Sequence, residues 1–181
     1  PPAFEASSGG WEVSAVLTAS GSATLAYTSM VSGYDYQFLG NVLVPATDAV
    51  YFHTQVGVAG PTYRTSNYYT QMQRVSNNAI TSLEGRVDTT QIEWVNNDSI
   101  SSSTGGGVDQ LELTVSDPAN ASTRTSWQGR MAFTANPYSY LGVSWLGGKY
   151  KTAEANTAIK FAFSSGNIAT GDIIVYRRKR S

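Results

Sequence analysis

No cysteine occurs anywhere in the chain. That absence removes thiol nucleophiles, thiolate metal ligands and any disulfide-stapled scaffold, and is silent about compartment. Histidine is almost missing too, with His53 alone in 181 residues. Structural zinc needs four His or Cys ligands, so no metal site is expected. A Ser-His-Asp set would place His53 beside an activated serine, but the chain has no Gly-x-Ser-x-Gly elbow. His53 reads as a surface or interface histidine. Charge is scarce as well, at 14% of residues with a net of −1. Neither nucleic acid nor an anionic membrane is therefore an expected partner. No apolar run approaches the roughly 20 residues of a membrane helix. Pro1-Pro2-Ala3-Phe4-Glu5 has neither the basic region nor the apolar core of a signal peptide. Residues 1–10 are expected to form an extended arm or linker. Lacking an initiator Met, the chain is expected to be trimmed or to be one piece of a longer polypeptide.

What the chain does have is short alternation. At 19.4 kDa it is most simply one domain, 1–181, able to bury roughly 70% of its unfolded surface. Ile159, Phe161 and Phe163 alternate with Lys160 and Ala162, the two-residue period of a strand with one buried face. Tyr34, Tyr36, Phe38, Val42 and Val44 share a parity, with Gly40 expected as a bulge. Val50, Phe52, Val56 and Val58 share another, and so do Trp127, Gly129, Met131 and Phe133. Further strands are expected at Trp11–Leu17, Leu25–Met30, Thr89–Val95, Val108–Val115 and within Tyr138–Tyr150. Tyr63–Arg74 reads as strand plus loop, and Tyr68–Asn77 is the only stretch with any helical character. Asn96–Gly107 is a loop by composition. About nine or ten short strands without a repeating period predict an all-β antiparallel sandwich of jelly-roll type.

The last predicted strand differs from the others. Ile173-Ile174-Val175-Tyr176 is apolar on both faces, which predicts cover from its own core and from a neighbouring subunit. These four residues are the expected oligomer interface, and a homotrimer is the expected state. Arg177–Arg180 follows at once. With no basic stripe elsewhere, residues 177–181 are expected to be a solvated tail, or to bridge to an adjacent subunit.

Chemistry is hard to find. Asp35, Asp48, Glu84, Asp88, Glu93, Asp98, Asp109 and Glu112 include no local pair in an apolar setting, as a glycosidase would require. Asn96-Asn97-Asp98 and Asp109 offer oxygen ligands, but their spacing matches no calcium loop. No catalytic residue, metal or cofactor is expected. Aromatics are the one surplus, with eleven Tyr and four Trp. Tyr and Trp supply rigid amphipathic area that stacks on sugar faces. Tyr63, Tyr68, Tyr69, Tyr138 and Tyr140 are the expected ligand contacts. Trp127 and Trp145 are placed in core or subunit interface by parity.

Two segments are similar to a known family. Tyr34-Asp35-Tyr36-Gln37-Phe38, running into Asn41-Val42 and Val44-Pro45-Ala46-Thr47-Asp48, resembles a strand and turn of bacteriophage and prophage virion proteins. Ile159-Lys160-Phe161-Ala162-Phe163-Ser164-Ser165-Gly166-Asn167 through Tyr176 resembles the close of the same proteins. This chain departs from them at Val58-Ala59-Gly60-Pro61, where the family has an Asp-Gly-Gly-type turn, and in adding Arg177–Ser181. The resemblance implies a jelly-roll domain of the tail-fibre tip, head-fibre or capsid-decoration type. It further implies a non-enzymatic role on the virion surface, with other virion proteins and host surface glycans as partners. Three further readings stand beside host attachment: a capsid cement protein without a receptor, a carbohydrate-binding module, and a polysaccharide hydrolase.

Overall fold

Alternation decides which way each strand faces, and the strands resolve into two antiparallel sheets packed on one core. A computed structural model describes residues 10–60, 62–76, 79–95, 99–103, 106–136 and 140–181, with the backbone alone for 79–82. In chain order the strands are β1 (Glu12–Ser22), β2 (Leu25–Tyr27), β3 (Tyr34–Pro45), β4 (Phe52–Val58) and β5 (Thr62–Tyr63). Then come β6 (Tyr68–Ser76), β7 (Ala79–Thr89), β8 (Ile92–Glu93), β9 (Ser99–Ile100) and β10 (Val108–Ser116). The last are β11 (Arg124–Asn136), β12 (Leu141–Ala153), β13 (Ala158–Phe163) and β14 (Ile168–Lys179).

Nine strands form the larger sheet, ordered β1-β14-β3-β10-β11-β12-β6-β7, with β9 beside β11. The smaller sheet runs β2-β13-β4-β5, with β8 beside β4. Every pairing among the described residues is antiparallel. The chain crosses repeatedly from one sheet to the other, as a jelly roll does. The all-β sandwich expected from alternation is present, with fourteen strands among the described residues where about nine or ten were expected. The strands not expected are the eleven-residue β7 and the two-residue β9, the latter too short for alternation to register.

Between the sheets the inward parities meet. Phe38 of β3 lies 5.3 Å, centroid to centroid, from Phe161 of β13. Phe52 of β4 packs on Phe161, Phe163 and Trp94 at 6.3, 5.3 and 6.4 Å. Trp94 is fully buried, and its indole N–H donates to Thr54 Oγ1 at 2.9 Å, so no polar atom of the ring is stranded.

Four expectations need correction. Helical character was expected over Tyr68–Asn77; Asn77 lies outside the described residues, and residues 68–76 form β6, which alternates strictly with Tyr68, Thr70, Met72, Arg74 and Ser76 buried. Its Thr-, Gln- and Tyr-rich face had masked a two-residue period. The strand expected over Thr89–Val95 shrinks to β8, because the long strand lies just before it in β7. The bulge of β3 falls not at Gly40, which pairs regularly with Leu111 and Ile173, but at Val42, whose φ is +47°. Opposite it stands Gly171 at φ +122°, where any Cβ would run into the Val42 carbonyl.

The fourth correction concerns the end of the chain. β14 does not step into solvent after Tyr176; it runs on to Lys179, pairing Arg177, Arg178 and Lys179 with Tyr36, Asp35 and Tyr34. Arg178 and Arg180 both reach Asp35, at 3.1 and 3.3 Å, and Arg177 meets Glu12 at 2.6 Å. The basic cluster is held within its own chain. Nor is β14 at an edge, since it lies between β1 and β3. Ile173 and Val175 are wholly buried in the core, so their side chains are not available to a second subunit. Ile174 and Tyr176 are half-buried on the outer face. Of the expected arm, only Gly10 is described, and residues 1–9 lie outside the described residues.

Candidate functional site

Sheet register places one lateral row of outward side chains across the larger sheet. From β1 to β7 it runs Val16, Ile174, Leu39, Glu112, Arg130, Trp145, Gln73 and Leu83, each directly opposite the next. Flanking rows carry Asn41 and Gln110 on one side, and Gln37, Thr114, Gln128 and Gln71 on the other. The centre of this surface is Trp145, 44% exposed. Its neighbour two residues on along β12 is Gly147, which leaves the indole without a shoulder on that side.

Three shallow grooves, of about 390, 400 and 500 Å³, meet at this tryptophan. Asn41, Gln110, Glu112 and Arg130 line the first, Gln71 and Gln73 the second, and Thr114 and Gln128 the third. Glu112 is oriented twice over: Arg130 Nε donates to Oε2 at 2.7 Å and Gln37 Nε2 to Oε1 at 3.1 Å. The result is a flat aromatic plate ringed by amides and one ion pair. Each amide donates and accepts at once, so the amides suit vicinal hydroxyls better than a single charge would.

The expected ligand tyrosines do not gather there. Tyr68 is fully buried; its hydroxyl accepts from Val56 N at 2.9 Å, and burial raises its pKa. It is a core residue and cannot touch a ligand. Tyr69 is half-buried under Lys151 Nζ, 5.3 Å from its ring centroid. Tyr140 packs partly buried against the core. Tyr63 belongs to the smaller sheet, with Lys160 Nζ 4.7 Å above its ring. Tyr138 lies outside the described residues. Parity expected Trp127 and Trp145 in core or subunit interface; Trp127 is core, whereas Trp145 is exposed on the outer face. The amides around Trp145 were missed because each looked like an ordinary polar-face residue. Their recurrence on successive strands was the available signal.

Other polar groups fit structural roles. Among the described residues no three His, Asp or Glu cluster as a metal site would need. Asn96–Asp98 lie outside the described residues, and Asp109 accepts from Thr134 Oγ1 at 3.3 Å while burial raises its pKa. Asp48 accepts from Ser102 N at 2.8 Å, and this hydrogen bond holds its carboxyl below the usual range. Glu84 and Glu93 share Arg86, at 3.1 and 3.3 Å.

His53 is half-buried on the outer face of the smaller sheet, with its Nδ1 enclosed and without a hydrogen-bond partner. Burial, helped by the Lys160 charge, pushes its pKa down to about 4 from the ordinary 6.5. The imidazole is therefore neutral at pH 7, and the unfolded chain binds its proton more readily than the folded one. Stability from this group is complete above pH 6.5 and is lost as pH falls from 6.5 towards 4, then levels off. Allowing for partial exposure, the loss is about 1–2 kcal/mol. Because the chain has one histidine, its ring protons titrate alone by NMR. A midpoint near 4 is expected, and one at 6 or above would contradict the burial described.

No protein-family model, curated protein or solved structure matches this chain.

Proposed function

We propose that this chain is a non-enzymatic attachment module displayed on a bacteriophage virion, which holds host-surface glycan on the outer face of its larger sheet. Virion display rests on the resemblance of Tyr34–Asp48 and Ile159–Tyr176 to virion proteins. In the fold these distant segments are neighbours, since β3 pairs β14 and Phe38 of β3 packs on Phe161 of β13. The resemblance thus describes one contiguous part of the sandwich.

Glycan contact is carried by the exposed ring of Trp145 and its border of amide side chains. A sugar's C–H face stacks on the indole, while Gln71, Gln73, Gln110 and Gln128 reach its hydroxyls. Each such site is weak by itself, and many copies on one particle would supply avidity.

Binding of the purified chain to a host-polysaccharide array tests this reading. Trp145→Ala should weaken binding at least about tenfold, as loss of a central aromatic anchor does. Because the ring is already substantially exposed, stability should fall by about 1 kcal/mol or less. Equal binding by wild type and variant would remove Trp145 from the site. A chain that ignores glycans but raises the heat resistance of capsids would be a cement protein, and turnover of polysaccharide would make it a hydrolase.

A further inference from the structure

The larger sheet ends on β7, an eleven-residue strand that pairs only β6 among the described residues. An open edge invites another strand, and proteins usually guard such edges with lysine, proline or bulges. β7 contains neither Lys nor Pro. Its register against β6 does slip twice, once at Thr81 and once at Asp88, whose φ is +56°. Between the slips, Ser82–Val87 pairs regularly. The centre of that straight stretch is Leu83-Glu84-Gly85-Arg86-Val87. Leu83 and Val87 are 74% and 51% exposed on the outer face. Glu84 and Arg86 point to the other face.

We propose that this stretch pairs antiparallel with the same stretch of a second copy, about a two-fold axis through Gly85. In that register Leu83 faces the second copy's Val87, and Glu84 faces its Arg86, each pair occurring twice. Apolar side chains meet on one face and opposite charges on the other, both favourable as cross-strand pairs. Moving the axis one residue either way sets Glu84 against Glu84 or Arg86 against Arg86. Half-steps set an apolar side chain or glycine against a charge. One register is favoured, and it is self-complementary in the manner of an isologous two-fold interface.

The other edge, β1, also pairs regularly over residues 15–20, but that stretch carries no charged residue and so lacks the opposite-charge pairs that select one register. The trimer expected from β14 has only the outer-face side chains of Ile174 and Tyr176 left to it, and the pairing at β7 uses a separate edge of the sheet. Both outer faces then lie on the same side of one continuous sheet. Five strand spacings separate the two Trp145 residues, roughly 25 Å across the strands. The pairing does not depend on what those faces bind.

A five-residue edge makes a weak dimer, well below the area of a permanent interface. Sedimentation equilibrium over about 1–500 µM should show the mass rising from 19.4 kDa towards twice that value. Leu83→Lys with Val87→Lys sets like charges opposite each other and should leave a monomer at every concentration. Leu83→Lys with Val87→Glu restores complementarity only in the proposed register, and should recover the dimer. Both positions are exposed, so far-UV circular dichroism should match wild type in each case. The chain has no cysteine of its own, so Gly85→Cys adds one thiol beside the axis and should cross-link to itself on mild oxidation. A wild type that stays monomeric throughout would overturn the proposal. So would a dimer indifferent to the Lys pair, or a Lys/Glu variant as monomeric as the Lys/Lys one.

Discussion

Replacing Phe161 by alanine is expected to destabilise the chain by about 3–5 kcal/mol, the usual loss when a buried phenylalanine is emptied from a core. Phe161 is fully buried in β13, at the middle of the smaller sheet, where it pairs with Leu25 on one side and Thr54 on the other. Its ring lies against Phe52 within its own sheet and against Phe38 from the opposite sheet, so one truncation opens a void at the contact between layers. Against the ordinary stability of about 5–15 kcal/mol, that is a large share. The corresponding fall in Tm is about 6–20 °C for a chain of this length. Lys160→Ala is the natural control. Its side chain is on the outer face of the same strand, and its loss removes the contact with Tyr63 and the repulsion of a His53 charge, neither of which opens the core. If the two variants unfold at the same urea concentration, β13 does not present Phe161 to a core and the sandwich is wrong.

That experiment tests the part of the fold most legible in the sequence. Ile159, Phe161 and Phe163 were assigned inward from alternation alone, and the structure buries all three. Tyr36 and Phe38, Phe52 and Val56, Met131 and Phe133 follow the same logic. Alternation works there because one face meets a core and the other meets water, so hydrophobicity reports direction. It fails where that contrast is weak. β6 buries Thr70, Arg74 and Ser76, so its inward face is half polar and its period is hidden. β14 carries Ile174 and Tyr176 outward on a partly apolar surface, so its alternation is muted. Register is the other quantity that alternation cannot supply. The row through Glu112, Arg130 and Trp145 joins three strands whose alignment is set by hydrogen bonding across the sheet. No local reading of those residues brings them together, whereas Tyr63, Tyr68 and Tyr69, close in sequence, part to different surroundings.

The end of the chain separates a local reading from a three-dimensional one most sharply. A solvated tail would make residues 177–181 dispensable, with an effect within about 0.5 kcal/mol. The structure leads to a different result: ending the chain after Tyr176 should cost about 2–4 kcal/mol. Lost with the tail are the pairings of Arg177, Arg178 and Lys179 along β3, and the hydrogen bond from Arg180 N to Gly33 O at 2.9 Å. Arg177 also lies 5.1 Å from the Tyr34 ring centroid and Arg178 4.9 Å from that of Trp11. The largest single contribution comes from Asp35, whose side chain is only 13% exposed and which would lose both guanidinium partners. Most of these ion pairs are partly exposed, so part of the loss should shrink as salt is raised. Arg178→Ala with Arg180→Ala isolates the Asp35 contribution without shortening the strand, and should reproduce a good part of the destabilisation. Urea unfolding at low protein concentration is the decisive measurement, because it removes any contribution from association. If the shortened chain is as stable as the full one when monomeric, and weaker only when concentrated, the arginines reach across to a neighbour after all, as the sequence by itself had led one to expect.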